Sequence, residues 1–323
     1  MTKNPSVPAL SLVFLFRAVF SLWADSSPVM SSDLVFRGST KPEAELTFNQ
    51  RFVFPAFRGN SPLTLDNNVE TIFSAAITPV SLKGGAEAVL TPAAFFKLSA
   101  GALLGTGWNI TASGRHLYGL AFNTPENDRE EAFSGGSKKS VIQGSPFDGM
   151  VWKLYGGSTV QFDAAALWPG DWHHIVLRAY NEVNYKAYTR AGRGESWVYE
   201  VSEEENRNGW NYYGQFFIGY QMPLFLDLAG IQIEVDRFLH NTPGGEFWGD
   251  KLGRWIFTGA FNWAVTPDFN ALFAVQLRTM RNYRDGDRNN GAHYFYQYRE
   301  LNRGSPLRLE FYRVALILSY KIN

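Results

Sequence analysis

The 323-residue chain is 45% hydrophobic and 16% aromatic, and it carries 30 basic and 30 acidic side chains. This balanced charge gives no basic patch, which argues against a nucleic-acid partner, and the absence of cysteine excludes disulfides, thiolate metal sites and lipid-modified cysteine. Beyond the N-terminal segment no run approaches 18 apolar residues, which excludes a helical membrane protein.

Residues 1–24 have the layout of a signal peptide. Lys3 precedes an apolar stretch, and Ala24 provides a small residue after which we expect cleavage. Arg17 interrupts the stretch and Leu22 departs from the small-x-small pattern of cleavage sites, so an uncleaved anchor and a misread start site are the alternatives. The remaining chain is expected to form an N-terminal segment at residues 25–43 and a single domain at residues 44–323.

Apolar and polar side chains alternate along much of the chain, and this period of two predicts β-strands with one apolar face. The clearest case lies between Trp255 and Thr279, where two alternating arms flank the turn Thr266-Pro267-Asp268. Each arm has about the 9 to 11 residues that a tilted strand needs to cross a bilayer. In chain order, the alternating segments lie at residues 69–78, 96–108, 150–168, 174–187, 212–220, 231–236, 255–279 and 307–322.

The number of strands follows from counting back from the C-terminal segment, which gives ten strands with the first at residues 69–78. Residues 46–54 form an eleventh alternating segment, whereas up-and-down barrels of bacterial outer membranes have an even number of strands. This segment therefore either pairs with a further strand, at residues 34–37 or within 116–122, or lies outside the wall. We favour the first arrangement, with twelve strands.

Long polar stretches separate the hairpins at residues 109–149, 189–209, 240–253 and 284–305. Short turns on one side and long loops on the other are typical of outer-membrane barrels. The predicted fold class is therefore all-β: a transmembrane antiparallel up-and-down β-barrel of about 10–12 strands, with short periplasmic turns and long extracellular loops.

A soluble, lipocalin-like barrel is the alternative, because alternation alone does not decide which face points outward. In such a barrel the apolar face lines a small pocket and the other face is richly charged. Here the second face mixes small and polar residues, such as Ser99, Gly101 and Ala274. Aromatic residues also gather near turns, as at Trp168 and Trp263, where an interfacial girdle would lie. Both observations favour a membrane barrel.

Several short motifs lie between residues 55 and 109. They are Ser61-Pro62-Leu63-Thr64, Asn67-Asn68, Thr78-Pro79-Val80-Ser81, Thr91-Pro92-Ala93-Ala94-Phe95 and Gly105-Thr106-Gly107-Trp108-Asn109. Through them the chain resembles bacterial outer-membrane β-barrel proteins, and more narrowly a group of uncharacterised spirochaete-type outer-membrane barrels. The resemblance implies a location in the cell outer membrane, contact with its lipid and insertion by the barrel-assembly machinery, and it implies no established activity. The last strand looks like the one that this machinery recognises, although it ends in Ile322-Asn323 and not on an aromatic residue.

Polar residues on the second face of the strands are candidates for lining the lumen. The candidates are Lys153, Asp163, Arg178, Glu182, Lys186, Glu234, Asp236, Arg254 and Arg278, with Gln161, Gln232 and Gln276. Mixed charge of this kind is able to line an aqueous channel and to orient small polar solutes, which predicts a porin-like permeability or transport protein. The same residues are also able to pair across a narrow interior and seal it. The alternative is a non-conducting structural or surface-adhesion barrel acting through its extracellular loops, with the aromatic segment 293–299 as a contact patch.

The sequence predicts neither an enzyme nor a metal or cofactor site. Hydrolysis on a barrel wall needs a serine or an aspartate beside a histidine. His173 and His174 point to opposite faces of a strand, and His240 and His293 have no nucleophile-elbow motif nearby. No His-x3-His pair is present, and the Asp285-Gly286-Asp287 segment is too short for a calcium loop.

Overall fold

The computed structural model describes residues 28–41, 43–112, 115–123, 141–143, 145–192, 195–200, 205–241, 249–283 and 301–322. The predicted signal peptide and the aromatic segment 293–299 lie outside these residues. The described chain consists of antiparallel β-strands with a 3₁₀ turn at Ala164–Ala166. No helix within it is long and apolar enough to cross a membrane.

The strands, in chain order, are β1 (Val29–Ser39), β2 (Ala44–Pro55), β3 (Asn68–Thr78), β4 (Ser81–Ala93), β5 (Phe96–Gly107), β6 (Asn109–Ala112), β7 (Arg115–Tyr118), β8 (Leu120–Asn123), β9 (Val141–Gln143), β10 (Val151–Asp163), β11 (His174–Tyr188), β12 (Ser196–Tyr199), β13 (Asn206–Arg207), β14 (Gly209–Gln221), β15 (Leu226–Phe238), β16 (Arg254–Thr266), β17 (Phe269–Arg281) and β18 (Leu307–Ile322). Twelve of them close into one barrel, in the order β1-β18-β17-β16-β15-β14-β11-β10-β5-β4-β3-β2.

Closure of the barrel depends on β1. It pairs with β18 on one side, where Ser32 faces Ile322, and with β2 on the other, where Val29 faces Val53. The twelve-stranded arrangement is thus confirmed, with residues 34–37 inside the added strand. The wall begins at Val29 and not at residue 44, because without β1 both β2 and β18 would be unpaired edges.

The wall has two chemically different faces. Each strand alternates between them, so that on β15 the outward Ile231 is 57% exposed whereas the inward Gln232 is partly covered. Inward side chains are shielded because a closed sheet surrounds its concave face. The outward face carries exposed large apolar residues on every strand of the wall, among them Leu34, Leu46, Phe73, Leu82, Leu98, Leu154, Ile175, Ile218, Ile231, Phe261, Leu277 and Leu316.

The two rims of the barrel differ in their connections. At one rim lie the connections 108–150, 189–208, 239–253 and 282–306, together with the short turns 40–43 and 79–80. We call this the loop rim. The opposite rim, the turn rim, carries the connections 56–67, 94–95, 164–173, 222–225 and 267–268.

A β-bulge in β18 changes which face one aromatic residue occupies. The register of β17 and β18 shifts between Gln276 and Leu277, so that Arg313 faces Gln276 but Phe311 faces Leu277. The extra residue, Tyr312, is buried. Strict alternation places Tyr312 with Val314 on the outward face, and the bulge reverses this by adding one residue to one strand of the pair.

Candidate functional site: the lumen and its mouth

The nine charged residues selected from the sequence lie on β10, β11, β15, β16 and β17, on the face that points inward. Lys153 Nζ lies 2.6 Å from Glu182, and Asp236 lies 3.2 Å from Lys186 and 2.8 Å from Arg254. These five residues therefore form two ion-pair groups along one side of the interior.

The other selected residues contact neighbours on adjacent strands. Arg178 donates to Gln215 (3.1 Å), Arg278 donates to Glu310 (3.0 Å), Glu234 accepts from Gln232 (2.5 Å), and Asp163 lies 2.7 Å from His174 Nδ1. Gln161 and Gln276 donate to the Ala94 carbonyl and to Thr258, each at 2.9 Å. These contacts follow the wall; that the residues line a conducting channel stays a prediction.

The opposite side of the wall carries further charged residues, which are not among the candidates selected from the sequence. Lys83 Nζ lies 2.5 Å from Glu45, and Arg51 lies 2.5 Å from Glu70. The sequence contains the pattern that would identify them, because these charged residues alternate with the outward apolar residues of β2, β3 and β4.

A small sheet of β13, β12, β8 and β9 fills part of the loop rim. We call it the cap sheet. Trp197 and Leu120 of this sheet are 1% and 0% exposed, and they pack with Phe122, Tyr199 and the wall residues Val151 and Tyr188. Because this apolar core includes ends of β10 and β11, the cap sheet is anchored against the inside of the wall.

Glu200 extends this anchoring to β4. Its carboxylate lies 3.0 Å from Lys83 Nζ and accepts a hydrogen bond of 2.8 Å from Ser81. The backbone of Glu200 has a φ of 63°, a conformation that costs a non-glycine residue about 1–2 kcal/mol. The preceding Tyr199 places its hydroxyl 3.2 Å from the Leu82 carbonyl.

The chain after Glu200 contacts the opposite wall. The Glu205 carbonyl accepts from Arg254 of β16 (3.2 Å), and buried Arg207 lies 2.7 Å from Glu205 and 2.8 Å from Asp250. Since β4 and β16 stand half-way round the twelve-stranded ring from each other, the two described parts of residues 195–208 contact opposite sides of the mouth. We call the described residues 195–200 and 205–208 the strap.

Beneath the strap lies a cavity of about 220 Å³. It is lined by Lys186, Asn206, Tyr213, Glu234, Asp236, Arg254, Trp255, Ile256, Arg278, Thr279, Tyr312 and Arg313. The Tyr312 ring has three cations around it, with Lys41 Nζ and Arg278 Cζ each 4.4 Å from its centroid and Arg313 Cζ at 4.7 Å. A π-face attracts cations at such distances.

Lys41, in the turn between β1 and β2, is affected by this crowding. Burial, followed by repulsion from Arg278, lowers the pKa of Lys41 to about 8. Glu43 and Glu310 oppose the shift. The charge of Lys41 is therefore the one in this cluster that mild alkali removes.

Two of the described histidines contact backbone carbonyl groups. His173 Nδ1 lies 3.1 Å from the Trp168 carbonyl, and His240 Nδ1 lies 2.9 Å from the Trp210 carbonyl. Among the described residues no group of three or more histidine, aspartate or glutamate side chains is arranged to hold a metal ion.

No protein-family model matches the chain, and no curated protein matches it significantly. Among solved structures, the NanC porin is 9% identical over 91% of this chain and 100% of its own, with a TM-score of 0.39. The KdgM porin is 8% identical over 91% and 100%, with a TM-score of 0.35. The translocator domain of the autotransporter NalP from Neisseria meningitidis is 10% identical over 97% and 95%, also with a TM-score of 0.35. In architecture this closed barrel resembles bacterial outer-membrane porins and autotransporter barrels.

Proposed function

We propose that this protein is a porin-like barrel of the bacterial outer membrane that provides a permeability path for small polar solutes. The observation that carries the proposal is the division of one closed wall into an apolar, exposed outer face and a polar, charged inner face. A soluble barrel would expose its outer residues to water, and a contiguous belt of exposed Leu, Ile and Phe is strongly unfavourable there.

The dimensions of the apolar belt support insertion in a bilayer. Trp210 and Tyr220 lie on the outward face of β14 near its two ends and are 53% and 37% exposed. At about 3.3 Å per residue they are about 33 Å apart along the strand, and a strand tilt of about 40° reduces this to about 25 Å. This equals the usual height of the apolar band of an outer-membrane barrel.

Aromatic residues mark both ends of the belt. Near the loop rim Trp152 stacks on Tyr185 with ring centroids 5.2 Å apart, and Tyr185 meets Trp210 edge-on at 5.4 Å. Near the turn rim Trp168 and Trp172 are exposed. Such rings prefer the interface between lipid and water, so outer-membrane lipid is the proposed partner of this face.

Insertion by the barrel-assembly machinery, through the last strand, is part of the same proposal. The narrower resemblance to spirochaete-type barrels, carried by motifs within residues 55–109, stays a prediction. The turn rim would then face the periplasm and the loop rim the cell exterior, because the last strand of such barrels descends to the periplasmic side.

The size of the permitted solute would be limited by the strap, since its contacts with Lys83 and Arg254 lie on opposite sides of the mouth. The charged inner face would exclude apolar molecules and favour polar ones. We therefore assign the path to small polar solutes and not to large substrates.

Single-channel recording in planar lipid bilayers tests the proposal. The protein is refolded into detergent, its barrel is verified by a heat-sensitive shift in gel mobility and by circular dichroism, and the current is recorded at several salt concentrations. Discrete steps that grow with salt concentration are the expected result. A correctly folded barrel that produces no steps would favour the non-conducting structural or adhesive alternative, and a boiled sample provides the control for detergent artefacts.

A further inference from the structure

One row of the inner wall carries opposite charges on either side of an apolar residue. Glu234 of β15 pairs in register with Ile256 of β16, and Ile256 pairs with Arg278 of β17. Neighbouring strands are about 4.8 Å apart, so the Cα atoms of Glu234 and Arg278 are separated by about 10 Å. All three residues line the cavity of about 220 Å³ beneath the strap.

The cationic end of this row has capacity for another anion. Arg278 donates to Glu310 and lies over the Tyr312 ring, and Arg313, which lines the same cavity, pairs with Glu43 and donates to Gln276. A guanidinium has five N–H donors, and these contacts do not use all of them. Two arginines around one ring therefore present remaining donors to the cavity.

The anionic end is held by neutral groups. Glu234 accepts from the amides of Gln232 (2.5 Å) and Gln215 (3.5 Å) and from the hydroxyl of Tyr213, and among the described residues it forms no ion pair. The other carboxylate of the cavity, Asp236, already contacts both Lys186 and Arg254. Glu234 is consequently the carboxylate of this cavity that has no cationic side chain beside it among the described residues.

Ile256 separates the two ends with an apolar surface. The row thus runs from a carboxylate through a hydrocarbon side chain to a guanidinium. It is complementary to a molecule that has an ammonium group, a short methylene chain and a carboxylate in that order. Opposite charges placed at both ends fix the orientation of such a solute.

We propose that this cavity binds a small zwitterion with separated charges, an ω-amino carboxylate, whose carboxylate contacts Arg278 and Arg313 and whose ammonium contacts Glu234. The proposal rests on the proposed function, because it names the class of polar solute that the barrel takes up. No covalent step is involved, and the site loads by reversible ion pairing.

Three probes of similar shape test this assignment: 4-aminobutyrate carries both charges, butyrate only the anion and butylamine only the cation. Their dissociation constants with the folded, detergent-solubilised protein are measured by saturation-transfer difference NMR. Charge-assisted contacts of the kind expected at each end are worth about a tenfold change in affinity or more. We expect 4-aminobutyrate to bind about tenfold more tightly than either single-charge probe.

Two substitutions test the two ends of the site separately. Glu234→Gln should weaken 4-aminobutyrate by about tenfold and leave butyrate unchanged, whereas Arg278→Gln should weaken both. Matched controls are Glu87→Gln and Lys97→Gln, which remove one charge of each sign from inward positions outside the cavity. A purely structural role would change the affinity of all three probes alike, and each variant is first checked for the heat-sensitive gel shift.

Equal affinity for 4-aminobutyrate and butyrate, or no binding of any probe, would overturn the assignment. The binding measurement is independent of conduction, so the two proposals fail separately. If the barrel conducts but does not show this binding pattern, the zwitterion site is refuted and the proposed permeability stands. If it shows the pattern but does not conduct, the zwitterion site stands and the proposed permeability is refuted.

Discussion

Lys83 of β4 and Glu200 of the strap form an ion pair of 3.0 Å inside the mouth of the barrel. The same carboxylate accepts a hydrogen bond from Ser81, and the same lysine lies 2.5 Å from Glu45. Because Glu200 belongs to the strap and Lys83 to the wall, this pair ties the strap to one side of the mouth.

Replacing Glu200 by glutamine should loosen the strap. Loss of a partly buried charge-assisted contact costs about 1.5–3 kcal/mol. This is enough to increase by about tenfold the ratio of molecules in which the strap has left β4 to those in which it contacts β4. Lys83 retains Glu45 as a partner, so the wall itself should stay intact. We expect a larger time-averaged conductance of Glu200→Gln in planar bilayers.

Glu195→Gln is the control for this experiment, because Glu195 lies in the same connection and contacts the Gly192 amide of its own turn. Its conductance should equal that of the unaltered protein. If Glu200→Gln also conducts as the unaltered protein does, the ion pair does not hold the mouth.

Close packing of tyrosine against glycine on the inner wall predicts a second effect. A Cβ atom at Gly101 would lie 2.4 Å from the Tyr155 ring. Gly101→Ala should therefore destabilise the barrel by about 1–3 kcal/mol, measured by urea unfolding in detergent micelles. Gly259→Ala, where nothing lies within 4 Å of the added atom, should be nearly neutral, and similar losses in both variants would refute the steric explanation.

Stability near Lys41 should depend on pH. The pKa of Lys41 is about 8 in the folded protein and 10.5 as the ordinary value, so between these pH values the unfolded chain binds more protons than the folded one. The contribution of Lys41 to stability therefore rises with pH across this window and is least favourable below pH 8. The Lys41→Met variant has no titrating group at this position. Its free energy of unfolding, relative to that of the unaltered protein, should therefore decrease as the pH increases.

The measurement compares the free energies of unfolding of Lys41→Met and the unaltered protein at pH 7 and pH 10. Taking their difference cancels groups common to both. A difference that does not change between the two pH values, or that changes in the opposite direction, would contradict the burial of Lys41 beside Arg278.

Asn67 joins the connection 56–67 to the end of β4, and replacing it should destabilise the barrel. It is 3% exposed, and its side-chain amide donates to the Phe57 carbonyl (2.9 Å) and the Pro92 carbonyl (2.8 Å). Asn67→Ala should lower the free energy of unfolding by about 1–3 kcal/mol, because it leaves two carbonyls without these donors. The neighbouring Asn68→Ala removes one exposed contact to Asp66 and should cost much less; equal costs would argue against the bridging role.

The period of two was sufficient to predict the strands whose faces differ strongly. On β16 and β17 the predicted apolar face, with Phe257, Phe261 and Val275, lies outward, and the predicted turn joins the two strands. The signal is strong because lipid-facing and interior positions require different side chains at each step.

Features that depend on pairing between residues far apart in the sequence were harder to predict. The first strand alternates weakly, and its membership of the wall follows from pairing with β18 at the other end of the chain. The bulge that turns Tyr312 inward shifts the apolar phase from Leu309 and Phe311 to Val314 and Leu316, but the alternation alone does not tell which residue points inward there. The strap contacts join Glu200 to Lys83 and Arg207 to Asp250, and no local pattern specifies such pairs. Hence the sequence predicted many inward charges but not their arrangement at the mouth.

The absence of cysteine from the sequence makes it possible to test directly which face of the wall contacts lipid and which contacts water. Single cysteines are introduced at Ile231 and Gln232, adjacent residues of β15 on opposite faces, and the protein is reconstituted into liposomes. We predict that a water-soluble, membrane-impermeant maleimide labels Gln232→Cys and not Ile231→Cys, while a lipid-soluble maleimide labels Ile231→Cys. Equal labelling of both positions by the water-soluble reagent, or the reverse pattern, would contradict a wall that faces lipid on one side and an aqueous lumen on the other.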